Sequence, residues 1–439
     1  MKGPGSLAEH FVDPILGLSI TNGGYMVWLA ADTSQARCLS STALRKRNDM
    51  HKTLGTRVRR LVGAVLTLAV MGAISSCSTE SGGQAASVSS DDKVAQAATE
   101  AIDKLYGNGT FTEPASTGPK AQSGYKVALV SSGLQSPTGT AMANGAKAAA
   151  KVLGWDFTVY DGKYEPSEYQ EGIRQAISQN ADAIWLYSID CPLVKTALEE
   201  AKKAGIPVFA EEAADCSDVD PSQPSYYERT LEFVEGDFIT WGEGLGAAEA
   251  TWLLSKLGSE ANIIEVSNTE LVITKAVHDG FQKAMKEQCP ECKVTTLNIR
   301  LADFGPALEE KISTALLRNP EANGMALSYD DLVTSGGAAA VMASGRNDSI
   351  EVVSGSGYAA NIELVRQNKG QDAGWTYDGS YEAWSAADMI NRYFAGEESV
   401  PSGVGISMFD HDHDLPPEGE AWSTSIDYEP IFKKVWGVS

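Results

Sequence analysis

Basic residues are scarce in this chain. Its 439 residues hold 35 Lys and Arg against 58 Asp and Glu, a formal net charge of −23. A surface of that sign repels phosphates, which excludes nucleic acid as a partner. Histidine is rarer, with five in the whole chain, of which His278, His411 and His413 lie in the second half. Few histidines are therefore available to act as the base of a catalytic site.

Short catalytic and nucleotide-binding motifs are also missing. The chain contains neither G-x-x-x-x-G-K-[ST] nor H-E-x-x-H. Ser356 lacks the glycine two positions earlier that G-x-S-x-G requires. The glycines from Gly242 to Gly246 fail G-x-G-x-x-G, because Ala247 stands at its last position. We therefore expect no enzymatic activity and no cofactor.

One apolar run, LVGAVLTLAVMGAI (61–74), is too short to cross a bilayer comfortably. It follows three arginines and precedes Ser75-Ser76-Cys77, and this order is typical of an export signal. Residues 74–77 resemble the lipobox of bacterial lipoproteins, which implies that Cys77 is acylated and becomes the new N-terminus. Ordinary secretion, with Cys77 incidental, is the alternative.

The export signal does not open the chain. Residues 1–49 show no convincing periodicity, and we interpret them as an over-extended start, with residues 50–76 as the signal peptide. Residues 77–123 would form a tether with a short helix behind Asp91-Asp92. The mature protein would lie outside the cytoplasm, held at the cell membrane by its lipid anchor.

Four cysteines remain beyond the proposed lipid site. An even number in an oxidising compartment favours disulfides over metal or redox roles. Cys289 and Cys292 are separated by two residues and predict a short-loop disulfide. Cys191 and Cys216 follow consecutive predicted strands, whose ends could be close enough for a second bridge.

From Tyr125 onward, apolar segments alternate with amphipathic ones. The apolar segments predict strands at 125–131, 156–160, 182–188, 206–210, 230–235, 261–267, 293–299, 323–328 and 350–354. Buried strands that alternate with helices are typical of parallel sheets covered on both faces, and the number of strands suggests two such sheets. Ligands of these sheets bind beyond the carboxyl ends of the strands. Those ends place the functional residues at 131–139, 188–191, 211–216, 329–331 and 354–358.

Four segments carry a family pattern. They are VALVSSGLQSPTGTAMANGAKAAAKVLGWDFTVYDG (127–162), ADAIWLYSIDCPLVKTALEEAKKAGIPVFAEE (181–212), YDDLVTSGGAAAV (329–341) and IEVVSGSGY (350–358). In order and content they resemble the type I periplasmic binding proteins of the sugar-binding, ribose-binding-like group. The resemblance covers most of the chain beyond the tether.

The resemblance implies an α/β fold of two Rossmann-like lobes, with parallel sheets flanked by helices, joined by a three-strand hinge. We expect the hinge near Gly236, Tyr377 and Asp410. The first lobe would comprise 124–236 plus 378–409, and the second 237–377 plus 410–439.

The chain also departs from the family pattern. Thr138 and Gly139 stand where relatives often place aromatic rings, and Ala213 and Val277 stand where relatives carry arginines. Ser356 replaces an aspartate. These departures put a simple pentose or hexose in doubt and leave other hydroxyl-rich ligands open.

The candidate ligand-binding residues of the first lobe lie in three loops. Gln135, Ser136 and Thr138 offer amide and hydroxyl partners, or are ordinary turn and N-cap residues. Asp190 either caps the following helix or accepts a hydrogen bond from the ligand. Glu212 favours a cationic or polyol ligand, unless it is a solvated surface carboxylate.

The second lobe supplies the other candidates. Tyr329 precedes Asp330, which aligns with the family's ligand-binding asparagine, whereas Asp331 is expected to cap the next helix. Ser356 lies at the aligned strand end. Three aromatic residues are candidates for stacking or for the core, namely Tyr358, Trp375 and Tyr377.

The segment 409–414 begins with Phe409 and then alternates Asp and His from Asp410 to Asp414, which allows His411 and His413 to share a metal ion along a strand. A metal site needs further partners that are not near in sequence, so we expect an exposed acidic loop and no metal.

These observations favour a monomeric solute-binding lipoprotein that delivers a small polar molecule to an ABC permease. The alternative is an exported sensor that presents a non-sugar ligand, such as an amino sugar, an aromatic molecule or a signalling molecule, to a membrane receptor, and it shares the same fold and pocket. An exported α/β hydrolase would need a nucleophile–base pair at the strand ends, and the sequence offers none.

Overall fold

The computed structural model describes residues 92–438. The predicted acylation of Cys77, the signal peptide at 50–76 and the extension at 1–49 lie outside these residues. Among the residues described, no helix combines the length and the apolar character needed to cross a bilayer.

The first sheet has five parallel strands in the order β2-β1-β3-β4-β5. They are β1 (Lys126–Ser131), β2 (Asp156–Asp161), β3 (Ala183–Tyr187), β4 (Val208–Glu211) and β5 (Arg229–Thr230). The first four were predicted from their apolar segments. The segment 230–235 instead pairs only through its first residue and then leaves the sheet.

The second sheet has six strands in the order β11-β10-β9-β8-β6-β7. They are β6 (Asn262–Ser267), β7 (Lys293–Asn298), β8 (Gly324–Leu327), β9 (Glu351–Ser356), β10 (Ala373–Thr376) and β11 (Ser407–Asp410). All pairs are parallel except that of β10 with β11, which is antiparallel.

Helices cover both sheets. They are α1 (Lys93–Ile102), α2 (Pro137–Leu153), α3 (Pro166–Ser178), α4 (Cys191–Ala204), α5 (Cys216–Val219), α6 (Phe238–Leu257), α7 (Val272–Gln288), α8 (Pro306–Arg318), α9 (Asp330–Leu332), α10 (Ala338–Ser344), α11 (Ala359–Arg366), α12 (Gly379–Ala395) and α13 (Tyr428–Trp436). The two α/β lobes expected from the sequence are therefore present.

The strands are apolar throughout because both of their faces are buried. In β1, Val127 and Leu129 pack on the side of α2 and α12, whereas Ala128 and Val130 pack on the side of α3 and α4. In the second sheet, Ile264 joins the core beneath α8 and α10. Each lobe thus has helices on both faces of its sheet.

The chain crosses between the lobes at three positions from β5 to β11, and one of them differs from the expected position. It crosses between β5 and α6 and again between β10 and α12, near the expected Gly236 and Tyr377. The third expected boundary, near Asp410, needs correction. The sequence placed residues up to 409 in the first lobe, but β11 pairs with β10 in the second sheet. The crossing therefore lies between α12 and β11.

The C-terminal helix also corrects the expected division. Residues 410–439 were assigned to the second lobe, but α13 packs on α12 of the first. Trp436 stacks on Trp384 with ring centroids 5.4 Å apart and donates its indole N–H to Asp388 at 2.7 Å. These buried aromatic contacts hold the end of the described chain on the first lobe.

The segment before β1 is part of the folded body. Asp92 caps α1, as predicted, by accepting hydrogen bonds from the backbone of Val94 and Ala95 at 2.9 and 3.1 Å. Helix α1 packs on α6 of the second lobe. Further on, the backbone N–H groups of Thr110 and Thr112 donate to Ile406 and Gly403 at 2.9 and 3.0 Å. The segment thus runs beside the third crossing and is joined to it by backbone hydrogen bonds.

Candidate functional site

A cleft of about 170 Å³ lies between the lobes, where the carboxyl ends of both sheets face each other. Its aromatic lining residues are Tyr164, Tyr187, Trp241, Tyr329, Tyr358, Trp375 and Tyr377. Its hydroxyl residues are Ser132, Ser136, Thr138, Ser188, Thr274, Ser328 and Ser356. Leu245, Leu271, Ile273 and Val277 add aliphatic surface, and Glu212 and Asp331 are the charged members of the lining.

Most of the sequence-predicted site residues meet in this cleft. They are Ser136, Thr138, Glu212, Tyr329, Ser356, Tyr358, Trp375 and Tyr377. Gln135 lies outside it, because its exposed side chain donates to Asp161 at 3.1 Å. Asp190 also lies outside the lining and accepts a hydrogen bond from the backbone of Ala214 at 2.9 Å.

Asp330 and Asp331 have the reverse of their expected positions. The buried Asp330 accepts hydrogen bonds from the backbone of Gly357 at 3.0 Å and Tyr358 at 3.1 Å, and from the side chain of Gln371 at 3.1 Å. Asp331, expected to cap a helix, lines the cleft instead. Burial raises the pKa of Asp330 to about 7, although its hydrogen bonds act in the opposite direction. Asp330 thus holds the loop that carries Tyr358.

Sequence reasoning missed several lining residues, among them Tyr164, Tyr187 and Trp241. Tyr187 is the last residue of β3, so its place at a carboxyl strand end was a usable signal. Trp241 lies one turn into α6, directly after the first crossing. Tyr164 follows β2 in a loop that no motif marked.

Trp375 forms a flat wall of the cleft. Its indole lies directly on Gly355 of the neighbouring strand, where a Cβ atom would overlap the ring. The indole N–H donates to the buried carboxyl of Glu249 on α6 at 3.0 Å. Gly355 thus fixes the plane of the Trp375 ring, and Glu249 fixes its rotation within that plane.

Two buried tyrosines meet where the lobes join. The hydroxyl oxygens of Tyr187 and Tyr377 are 3.0 Å apart, and burial raises the pKa of both phenols well above the ordinary value. Tyr377 also makes an edge contact with Trp241, with ring centroids 6.2 Å apart. The rear of the cleft is thus a rigid aromatic surface.

Contacts across the cleft join the two lobes directly. The hydroxyl oxygens of Thr138 and Tyr358 are 3.3 Å apart, and Tyr358 donates to Asp331 at 3.5 Å. Burial raises the pKa of Asp190, opposed by the backbone N–H groups of Ala214 in its own lobe and of Val272 in the other. The lobes therefore touch at two places, Thr138 with Tyr358 and Asp190 with Val272.

Three carboxyl groups cluster at the first-lobe end of the cleft. Glu211 is buried and accepts a hydrogen bond from the indole N–H of Trp185 at 2.8 Å. Glu212 follows it and lines the cleft, and Glu382 comes from α12. Burial raises the pKa of Glu212 to about 7, opposed by its interactions with Glu382, Tyr187 and Tyr377. Burial and the charge of Glu212 raise the pKa of Glu211 and Glu382 as well.

Backbone strain concentrates at the cleft. Eight non-glycine residues of the described chain have positive φ, and four of these line the cleft, namely Tyr164, Ser188, Glu212 and Ser356. Such conformations cost on the order of 1–3 kcal/mol each and persist where the surrounding structure imposes them, which is common at ligand sites. This strain is a second observation, besides the cavity, that makes the cleft the candidate site.

Both predicted cysteine pairs form disulfides. Cys191 is joined to Cys216 and Cys289 to Cys292. The first bridge ties the N-terminus of α4 to the N-terminus of α5, where the loop that begins at Glu212 ends. Within the described residues, one set of three possible metal ligands lies within 4.8 Å, namely Cys191, Asp215 and Cys216, and its two sulfurs are engaged in the disulfide.

The acidic segment at 409–414 packs on the N-terminal segment. Asp410 accepts hydrogen bonds from Tyr106 at 2.7 Å and from Lys256 at 3.2 Å. The His413 ring stacks on Tyr106 with centroids 4.0 Å apart. These contacts give Asp410 a structural part at the hinge, while His411 is exposed.

A second, larger recess of about 320 Å³ lies at the other edge of the first sheet. Lys126, Asp156 and Gln179 line it, and they lie at the amino ends of β1 and β2 and the end of α3. It belongs to one lobe and lies away from the carboxyl strand ends, where open α/β sheets bind ligands. The cleft between the lobes is therefore the candidate site.

Comparison with known proteins connects this architecture to a family. Residues 127–398 match the family model described as "Periplasmic binding protein domain". The galactofuranose-binding protein YtfQ of Escherichia coli (strain K12) is 25% identical over 232 residues, which cover 51% of this chain and 68% of that protein. The D-apiose import binding protein of Actinobacillus succinogenes is 28% identical over 272 residues, 61% of this chain and 82% of that protein.

Solved structures show the same fold. GanP, a glucose-galactose binding protein from Geobacillus stearothermophilus, has a TM-score of 0.58 and 17% identity, and the match covers 67% of this chain and 100% of that one. An ABC transporter solute-binding protein from Agrobacterium vitis bound with alpha-D-tagatopyranose has a TM-score of 0.57 and 18% identity, with 67% and 97% covered.

Proposed function

The chain belongs to the periplasmic binding protein family, and from that premise we propose that it is the solute-binding component of an ABC import system. It binds a small sugar-like or polyol-like molecule in the cleft between its lobes and presents it to a membrane permease outside the cytoplasm. The names of the galactofuranose-binding and D-apiose-binding relatives support a hydroxyl-rich ligand. Family and relatives are transport proteins rather than enzymes.

The observation that carries the proposal is the composition of the cleft. Aromatic rings, Trp375 foremost, offer apolar faces to the C–H surface of a sugar ring, while serine and threonine hydroxyls offer hydrogen-bond partners. A cavity of roughly 150 Å³ takes a molecule the size of benzene. The cleft, at about 170 Å³, therefore suits a molecule of about one six-membered ring.

Each lobe supplies part of the site. Ser136, Thr138 and Glu212 come from the first lobe, and Asp331 and Tyr358 from the second. A ligand that touches both sets binds the closed arrangement better than an open one and shifts the population by that difference in affinity. A permease that recognises the closed arrangement then receives loaded protein preferentially.

The proposed anchor places this binding body at the membrane. Acylation of Cys77 would hold it at the outer surface, because each buried CH₂ contributes about 0.8 kcal/mol and several chains act together. The alternative sensor function shares the pocket and differs in the membrane partner. Cys77→Ser should move the protein from the membrane fraction to the soluble fraction, whereas retention in the membrane would contradict the lipid anchor.

A thermal-shift screen of the purified protein against sugars and polyols tests the function. A ligand at 100 times its Kd should add about 2.7 kcal/mol to the free energy of unfolding. The same ligand should produce no shift in Trp375→Ala, measured against that variant's own unliganded Tm. Gln135→Ala should keep the full shift, because Gln135 lies next to Ser136 in the first lobe but does not line the cleft. A screen without any stabilising compound, or a full shift in Trp375→Ala, would contradict the proposal.

A further inference from the structure

The charged residues that line the cleft are all acidic. Glu212 enters from the first lobe and Asp331 from the second, and no Lys, Arg or His is among the lining residues. An anionic ligand would meet two carboxylates and no cation, so sugar phosphates and sugar acids do not fit. The ligand is therefore neutral or positively charged.

Glu212 also has two further carboxyl groups beside it and, in the described part of the chain, no basic group. Glu211 and Glu382 are both buried, and one oxygen of Glu211, one of Glu212 and both of Glu382 have no hydrogen-bond partner. No ion pair within residues 92–438 includes any of the three. Burial without a cationic partner favours the protonated form of such groups, in keeping with the raised pKa of all three. No positive charge of the described chain stabilises the ionised form of Glu212, so a positive charge on a ligand would do so.

A bound metal ion is a poor source of that charge. The ligand oxygens of Glu211, Glu212 and Glu382 do not come within 4.8 Å of one another as a set. The walls around Glu212 are instead the rings of Tyr187, Trp241 and Tyr377. Aromatic faces attract organic cations, and the attraction grows when water is excluded. Carboxylate and aromatic walls together suit an ammonium group on an organic frame.

We infer that the ligand is a hydroxyl-rich molecule that carries a protonated amine, as an amino sugar or an amino-polyol does, with the amine at Glu212. The inference rests on the proposed function and specifies its ligand class. A neutral sugar can donate a hydroxyl to Glu212 but offers no positive charge to its ionised form. An ammonium group donates up to three hydrogen bonds and supplies the charge as well.

Matched pairs of compounds test the inference by titration calorimetry. The pairs are D-glucose with D-glucosamine, D-galactose with D-galactosamine, and sorbitol with glucamine, and N-acetyl-D-glucosamine and N-acetyl-D-galactosamine retain the nitrogen without its charge. We expect at least one amine to bind 10-fold or more tightly than its neutral partner and its N-acetyl form. Equal or tighter binding of the neutral member in every pair that binds would overturn the inference and leave the proposed function standing. Binding by no compound would contradict both.

Substitution of Glu212 separates charge recognition from folding. Glu212→Gln keeps the shape and the hydrogen-bonding capacity and removes the charge, so the preference for the amine should fall below about 3-fold while the neutral sugar still binds. Gln135→Ala should keep the preference. An unchanged preference in Glu212→Gln would overturn the placement of the amine.

Proton release gives a second readout. Glu211 on β4, Glu382 on α12, Tyr187 at the end of β3 and Tyr377 beyond β10 face Glu212, and none supplies a positive charge. An ammonium ligand stabilises the ionised carboxylate, so binding below pH 7 should release a proton, and affinity should rise from pH 5 to pH 7. Affinity that falls over this range would contradict the inference.

Discussion

Thr138 and Tyr358 belong to different lobes and bring their hydroxyl oxygens within 3.3 Å of each other across the cleft. Thr138 lies in the first turn of α2, and Tyr358 is the N-cap residue of α11. Tyr358 also donates to Asp331 of its own lobe, so its hydroxyl group contacts one residue of each lobe. The closed arrangement thus has a direct contact of its own besides those that a ligand adds.

Removal of this contact should weaken ligand binding more than folding. A net hydrogen bond contributes about 0.5–1.5 kcal/mol. Tyr358→Phe should therefore lower the affinity for the best ligand of the screen by roughly 3- to 10-fold, with a change in unfolding free energy of at most about 1 kcal/mol. Calorimetric titration and urea denaturation measure the two quantities.

The partner residue provides the control. Thr138→Val should also weaken binding, and the double variant should lose little more than Tyr358→Phe alone, since both substitutions remove the bond between Thr138 and Tyr358. Fully additive losses would show that the two hydroxyls act separately.

We expect Asp330 to stabilise the fold and not to contact the ligand. Its carboxylate accepts bonds from Gly357, Tyr358 and Gln371, so Asp330→Ala leaves three buried donors unpaired. Each orphaned donor costs about 1–3 kcal/mol, and the unfolding free energy should fall by several kcal/mol. Urea denaturation without ligand measures this. An unliganded stability equal to wild type, with ligand binding lost, would instead restore Asp330 as a ligand contact.

The sequence made most of the fold predictable because buried parallel strands and their covering helices repeat a simple pattern. It failed where pairing depends on distant partners. Strand β11 is short and pairs antiparallel at an edge, and α13 is held by the Trp384–Trp436 stack, which no local pattern reveals. The segment 230–235 has apolar residues at Leu231, Phe233 and Val234 and yet leaves the sheet after its first residue.

The site residues, too, were predictable where local position decides and unpredictable where tertiary packing decides. Position beyond a carboxyl strand end correctly placed Glu212, Ser356 and Tyr358 in the cleft. It could not tell Asp330 from Asp331, because consecutive residues point in different directions and only the packed loop decides which faces the ligand. Trp241 was out of reach, since its position depends on how α6 sits against the rear of the cleft.

Gly355 should be required for the orientation of Trp375. Any side chain at Gly355 would overlap the indole, so Gly355→Ala must displace the ring from the cleft wall. We expect at least a 10-fold loss of ligand affinity and a changed tryptophan fluorescence spectrum.

The matched control is Glu249→Gln. It keeps an oxygen that accepts the indole N–H and should bind ligand within about 3-fold of wild type, the spread expected of a small change in one hydrogen bond. Wild-type affinity in Gly355→Ala would contradict the role of the indole as a wall.

Stability should increase as the pH falls from 7 to about 5. Burial raises the pKa of Glu212, Asp330 and Asp372 to about 7 each, above the ordinary values of 4.5, 3.8 and 3.8. In this window the folded state holds protons that the unfolded state has lost, so folding is favoured by acid, by roughly 1.4 kcal/mol per pH unit for each such proton. This contribution is complete below the unfolded pKa and lost above pH 7.

Urea denaturation at pH 5, 6, 7 and 8 measures the slope. Asp372→Asn, which lies away from the cleft lining, should flatten it without altering ligand binding. A free energy of unfolding that rises from pH 5 to pH 7 would contradict the assignment of raised pKa values.

The two disulfides should differ in both stability and function. Cys191 and Cys216 are 25 residues apart and Cys289 and Cys292 are 3 apart. The loop-closure entropy of the unfolded chain assigns about 3.5 kcal/mol to the longer loop and roughly 2 kcal/mol to the shorter. The Cys191→Ser/Cys216→Ser variant should therefore lose more unfolding free energy than Cys289→Ser/Cys292→Ser. It should also bind ligand more weakly, because the first bridge ends the strained loop that holds Glu212 at φ 47°. If both variants bind as wild type does at a temperature where they remain folded, the bridge has no part in positioning Glu212, and its contribution is to stability alone.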